Sequence, residues 1–223
     1  MGEVISSKAM YEAMEWAYEK AVSGIGLGTA VDMAEDYLKE KGTLEDKINS
    51  LIRWQNTKAG TAGFATGLGG VVTMPVTLPA NIASTLYVQI RMVAAIAYMA
   101  GCDIKHDKVK TLIYLCLLGN SINEALKDTG VMIGSRFAEN FIKKKITGEM
   151  LTKINKAVGF RLVTKAGSTG VINLTKLVPV LGGVVSGTFD AITTNLVGNK
   201  ARDIFLSIED KHFEGFRGNI YDA

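Results

Sequence analysis

The sequence predicts an all-α protein: a single compact helical domain spanning residues 1–223, of about seven to nine helices, with Gly-rich, very apolar central helices. Three observations carry this expectation. The chain of 223 residues holds only three prolines, where ordinary usage would give about eleven, so little in it interrupts long helices. No segment shows sustained period-2 alternation between turn signals, which leaves no strand. Apolar residues instead recur at helical spacing in segments that end at glycine. With 48% apolar and 21% charged residues, disorder, collagen and a disulfide scaffold are excluded. The length suits one domain.

Taken in order, residues 3–22 read as an amphipathic helix with Ile5, Ala9, Ala13, Trp16 and Ala17 on one side. Ser23 to Gly28 breaks it, and the Gly24–Gly28 pair there reads as a plain turn. A second helix runs from about Thr29 to Lys41. Thr43 is the expected N-cap of a third, with Asp46 standing in for the Glu of a capping box, and Ile48, Leu51, Ile52 and Gln55 carry it toward Lys58. Pro79 suits a first turn, so a helix is expected from Pro79 to Ala100, ending at Gly101. The next, from near His106, reads VKTLIYLCLLGNSINEALKD and is apolar nearly all round as far as Leu118. Such a helix is buried in protein or lipid. Helices over 130–146 and 149–166 are expected to turn Phe141 and Phe160 toward the core.

From Ala59 to Ile90 there are 32 consecutive residues without a charge. That is long enough for a span of about 20 residues, but Pro75 and Pro79 interrupt it, Gly, Thr, Ser and Asn dilute it, and Arg91 follows inside the same helix. A soluble fold with a very apolar core is expected, with a re-entrant or inducible segment as the alternative. The spacings Gly63–Gly67 and Gly183–Gly187 allow close helix approach in either setting.

The net charge of +3 is uneven. Residues 1–60 hold 7 basic and 10 acidic side chains, whereas 136–176 hold 9 basic and 2 acidic. The basic ones are Arg136, Lys143, Lys144, Lys145, Lys153, Lys156, Arg161, Lys165 and Lys176. A block of this kind attracts an anionic surface. The N-terminal segment has early acids and no apolar run, so no secretory signal is expected. Two cysteines without a CxxC fit a reducing intracellular compartment, Cys102 and Cys116 acting as small buried hydrophobes. Met1 to Ser6 matches a loose myristoylation pattern that is met often by chance.

Three segments carry a resemblance: GTAGFATGLGGVVTMPVTLPANIASTLYVQIRMVAAIAYMAGCD, then KVKTLIYLCLLG, then LVPVLGGVVSGTFDAITTNLVGNKARDIF. Together, over residues 56–207, they resemble the bacterial EcsC family, with 1–45 outside the resemblance and 208–223 a C-terminal tail. The family takes its name from a protein encoded beside an ABC exporter. A similar Gly-rich helical domain is attached to some bacterial GTPases that act at membranes. The resemblance therefore implies a cytoplasmic, membrane-proximal role, with an ABC exporter or membrane stress as its setting.

The family-like positions include Gln89, Arg91 and Asp190, each in an otherwise apolar helix. A buried Arg needs a partner, and Asp190 is the only acid between Lys176 and Lys200. An Arg91–Asp190 pair is expected, with Asn81 or Asn195 satisfying remaining donors. A packing role is the plain reading, and a pair that opens in lipid the functional one.

Other chemistry is poorly supported. Cys102, Asp103, His106 and Asp107 crowd together, but Asp103 reads as a helix cap, so no metal site is expected. GIGLGTAV follows no strand and lacks dinucleotide spacing. Neither a P-loop nor a GxSxG elbow occurs. The basic block lacks a recognisable nucleic-acid module.

The reading is thus a non-enzymatic protein without a cofactor, peripheral on the cytoplasmic membrane face. Its anionic lipid contacts would be Lys143, Lys144, Lys145, Lys153, Lys156, Arg161 and Lys165. Segments 59–78 and 177–189 would supply the buried or insertable part. A soluble helical module binding a protein partner or apolar ligand is the alternative, and an unrecognised hydrolase a minor one.

Overall fold

Helices begin where a side chain can satisfy their first free amides, and five do so among the described residues. In the computed structural model, Ser6 Oγ accepts from Ala9 N at 3.0 Å to open α1 (Ser7–Ser23). Thr29 and Asp32 cap α2 (Ala30–Leu38) reciprocally, at 2.9 and 2.6 Å. The expected Thr43–Asp46 pair does the same for α3 (Leu44–Ala59), at 3.2 and 3.0 Å. His106 Nδ1 accepts from Lys108 N at 3.2 Å before α5 (Asp107–Cys116). Thr147 Oγ1 accepts from Met150 N at 3.3 Å at the start of α8 (Gly148–Lys165). Between these lie α4 (Ala80–Met99), α6 (Ile122–Leu126) and α7 (Phe137–Lys143), and α9 (Val184–Leu206) follows.

The structure describes residues 6–24, 28–59, 80–127, 136–165, 184–208 and Phe216, without the side chains at 58–59, 80–81, 164–165 and 184–192. The described residues form nine α-helices, one short 3-10 turn and no strand. The all-α expectation holds. The stretch with Pro75, Pro79 and Gly63–Gly67 lies outside the described residues, as do Ile5, 166–183 and the expected insertable segments apart from the backbone of Ala59 and 184–189.

At the centre is α4. It packs against α1, α2, α3, α5 and α9, and every residue from Met92 to Ala97 is fully buried. Its Ile82–Met99 stretch is, among the described residues, the one long and apolar enough to cross a membrane, yet 72% of it is buried inside the fold. Its largely apolar surface follows from the helices packed around it.

Two further packings fix the scaffold. Asn56 Nδ2 donates to Asn195 Oδ1 at 2.9 Å, and Arg202 Nη1 donates to Asn49 Oδ1 at 2.7 Å, so α3 and α9 run antiparallel. At their crossing with α4 sits Gly198, where a Cβ would come within 2.9 Å of Ile52 and 3.2 Å of Met92. This close approach was not foreseen, because Gly198 belongs to no small-residue repeat. On the other side, α1 bridges α4 and α8. Trp16 packs on Tyr87 with ring centroids 6.3 Å apart, and Ala9, Ala13, Trp16 and Ala17 are buried as their spacing predicts.

Several expectations need correction. The helix expected from near His106 through VKTLIYLCLLGNSINEALKD breaks after Cys116, where the chain passes through a 3-10 turn at Gly119–Ser121 before α6. Gly119 has φ +55°, a left-handed conformation that an ordinary side chain resists. The next helix runs over Phe137–Lys143 and ends three residues short of the expected 146, while 130–135 lie outside the described residues. Asp103 does not cap α5: its Oδ1 accepts from Lys105 N at 2.9 Å within the connection, and His106 is the cap. Phe141 is buried as expected, but Phe160 is 53% exposed. Gly24 and Gly28, which bound the expected turn, have φ +76° and +77°, and residues 25–27 between them lie outside the described residues.

Candidate functional site

The polar residues of α4 come first. Gln89 is buried, and its Nε2 donates to Thr193 and Thr194 Oγ1 of α9, both at 3.4 Å. A buried amide on an apolar helix is thereby satisfied from the neighbouring helix. Arg91 lies two residues on, so its side chain leaves the helix on nearly the opposite side. It is half-buried rather than buried, and an added Cβ at Gly28 would lie 3.6 Å from its Nη2. Burial lowers its proton affinity, while Tyr87 and Asp32 act in the other direction. Asp32 is held below the usual carboxylate range, first by the Thr29 amide, then by the Thr29 hydroxyl, and further by Arg91.

The pairing expected for Arg91 involves Asp190, whose side chain lies outside the described residues, as does that of Asn81. Asn195 is exposed, and its described bond is to Asn56 on α3. It belongs to the α3–α9 surface and not to a buried polar set.

A second polar cluster joins α1 to α5 and was not foreseen. Lys110 Nζ donates to Glu15 Oε2 at 2.6 Å, and the Tyr114 hydroxyl donates to Glu15 Oε1 at 3.0 Å. The Tyr18 hydroxyl donates to the Ile104 carbonyl, and Lys110 lies 4.8 Å from the Tyr18 ring centre. Burial and the Glu15 charge hold the Tyr114 proton far more tightly than usual. These groups tie two helices together through satisfied bonds.

The connection before α5 and the one before α8 meet around an open groove of about 670 Å³, lined by Asp103, Lys105, His106, Asp107, Lys108 and Lys145 among others. Its charges are mixed, and Lys108 Nζ is engaged with the Ile142 carbonyl at 2.8 Å. Among the described residues, no three His, Cys, Asp or Glu side chains are placed to hold a metal ion. Cys102 and Cys116 are buried free thiols, and burial pushes the Cys116 thiol well up, so it behaves as a small hydrophobe.

The basic block resolves into two groups. Lys143 Nζ lies 2.7 Å from Glu139 Oε1, whose side chain is buried. Arg161 reaches Glu124 Oε2 at 3.4 Å and the Glu124 carbonyl at 3.3 Å. These two cations serve the fold. Lys144, Lys145, Lys153 and Lys156 are exposed and make no ion pair among the described residues. The first two lie in the α7–α8 connection. The other two share the solvent face of α8, opposite buried Leu151, Ile154 and Val158, and Glu149 is the one acid on that helix. The side chain of Lys165 lies outside the described residues. Sequence reasoning did not separate the two groups, although Glu139 stands four residues before Lys143, the spacing of a helical ion pair.

No curated protein and no solved structure matches the chain significantly. A family model does, over residues 3–206, reaching back beyond the 56–207 segments that carry the motifs. The chain belongs to the EcsC protein family.

Proposed function

We propose that this chain is a non-enzymatic protein that docks reversibly on the anionic, cytoplasmic face of a membrane through the α7–α8 connection and the outer face of α8. The observation that supports this reading is the set of exposed lysines at 144, 145, 153 and 156 with no ion pair among the described residues. Lysines held by carboxylates add little attraction, whereas each one left to solvent near an anionic leaflet contributes about 1 kcal/mol. The attraction falls with ionic strength, because the screening length shrinks.

The test is flotation of the purified protein with neutral or anionic vesicles at low and high salt. Wild type should float with anionic vesicles at low salt and sink at high salt. Exchanging Lys144, Lys145, Lys153 and Lys156 for Gln should abolish flotation. The Lys143→Gln variant should still float, since that lysine already neutralises Glu139. Wild-type protein remaining at the bottom with anionic vesicles at low salt overturns the reading.

A further inference from the structure

A helix that packs one side into a core normally turns its large apolar residues inward, and α8 departs from this once. Leu151, Ile154 and Val158 are 6%, 0% and 0% exposed, whereas Phe160 is 53% exposed. Phe160 stands one turn after Lys156 and two turns after Lys153, so helical geometry sets all three on the same outward stripe. The other large exposed apolar side chains among the described residues, Trp54 and Leu196, sit on α3 and α9, away from the lysine-bearing helix. An outward aromatic flanked by lysines faces two demands at once: removal of an apolar ring from water, and neutralisation of neighbouring cations.

We propose that Phe160 is the membrane-inserting residue of the α8 face, its ring entering the headgroup layer while Lys156 and Lys153, one and two turns before it, meet lipid phosphates. This rests on the membrane reading above and adds to it a depth and an orientation: α8 lies along the surface with Leu151, Ile154 and Val158 directed away from it. The charge pattern selects the occupant. An anionic bilayer offers phosphates and, directly beneath them, an apolar layer, which is the order in which Lys side chains and a shorter aromatic ring would meet it. About half of the ring is already covered by the fold, so transfer of the rest is worth about tenfold in partitioning.

The experiment uses the full chain with anionic vesicles at constant low salt. The Phe160→Ala variant, checked for an unchanged thermal transition, should bind about tenfold more weakly. Its dependence on salt should stay that of wild type, because no charge is altered. The indole of the Phe160→Trp variant should be quenched by lipids carrying a spin label high on the acyl chain, beyond the quenching of the native Trp16 and Trp54 in wild type. Wild-type binding with undiminished Phe160→Ala affinity, or without the added quenching, overturns the insertion and leaves the electrostatic docking standing. Failure of wild type to bind any vesicle overturns both. Vesicle-independent protection of the same indole on adding a protein partner would assign the face to that partner instead.

Discussion

Helices α4 and α8 are of similar length, 20 and 18 residues, and stand in opposite relations to water. Five helices surround α4. On it even Gln89 is turned to a neighbour's hydroxyls, and a half-buried Arg91 marks the side toward α2. Helix α8 rests on α1, α5 and α6 along one stripe and leaves the other to solvent. The contrast teaches that apolar content does not by itself say where a helix works. The uncharged run through Ile90 has the composition of a span, yet its described part serves as the core. The more polar α8 carries the exposed lysines on which the proposed lipid docking rests.

The largest effect that separates these helices is a cavity in α4. Ile96 is fully buried, and Ile96→Ala should cost about 4 kcal/mol, a loss of transfer energy plus an unfilled void. Urea titration would show it as a lowered midpoint at unchanged slope. A cost below about 1 kcal/mol would mean that α4 is not the core. Overpacking comes next: Gly198→Val adds two methyl groups beyond a Cβ that alone would lie 2.9 Å from Ile52, and about 2 kcal/mol should be lost. On α8 the same titration should barely move. Exchanging Lys153 and Lys156 for Gln should change stability by less than about 0.5 kcal/mol, while the flotation described above changes sharply. A large loss of stability there would erase the distinction between a core helix and a docking helix.

Much of this contrast was legible in the residues, and the misses have physical causes. The Thr43–Asp46 cap, the end of α4 at Gly101 and the inward side of α1 follow from local rules: a hydroxyl that reaches an amide, a glycine that accepts positive φ, a period near 3.6. Phe160 was misplaced because an aromatic beside a basic tract was weighed by type rather than by angle. A helical wheel on Leu151, Ile154 and Val158 already sets it opposite them. Lys143 and Glu139 were likewise readable from their spacing. Arg161 was not, since Glu124 is 37 residues away and only the fold brings them together. Gly198 was beyond local reasoning for the same reason: its neighbours Ile52 and Met92 belong to two other helices.

The smallest expected effect concerns the helix starts that frame α4. Asp32 and Asp46 are held below their ordinary value of 3.8. For Asp32 the Thr29 amide contributes most. For Asp46 it is the Thr43 hydroxyl, whose O–H to Oδ2 distance across heavy atoms is 2.7 Å. A carboxylate depressed on folding takes up its proton more readily in the unfolded chain, so acid favours unfolding. The stability from these two groups is complete above the unfolded value of 3.8 and is lost as pH falls through the lower folded values. Replacing both by Asn keeps an oxygen acceptor for each amide but removes the titration and the favourable charge at a helix N-terminus. The double variant should melt slightly below wild type at neutral pH and converge with it in acid, giving a shallower dependence of Tm on pH below about 4. Since α2 and α3 both pack on α4, parallel wild-type and variant curves across that range would place the acid sensitivity of the core elsewhere than in its caps.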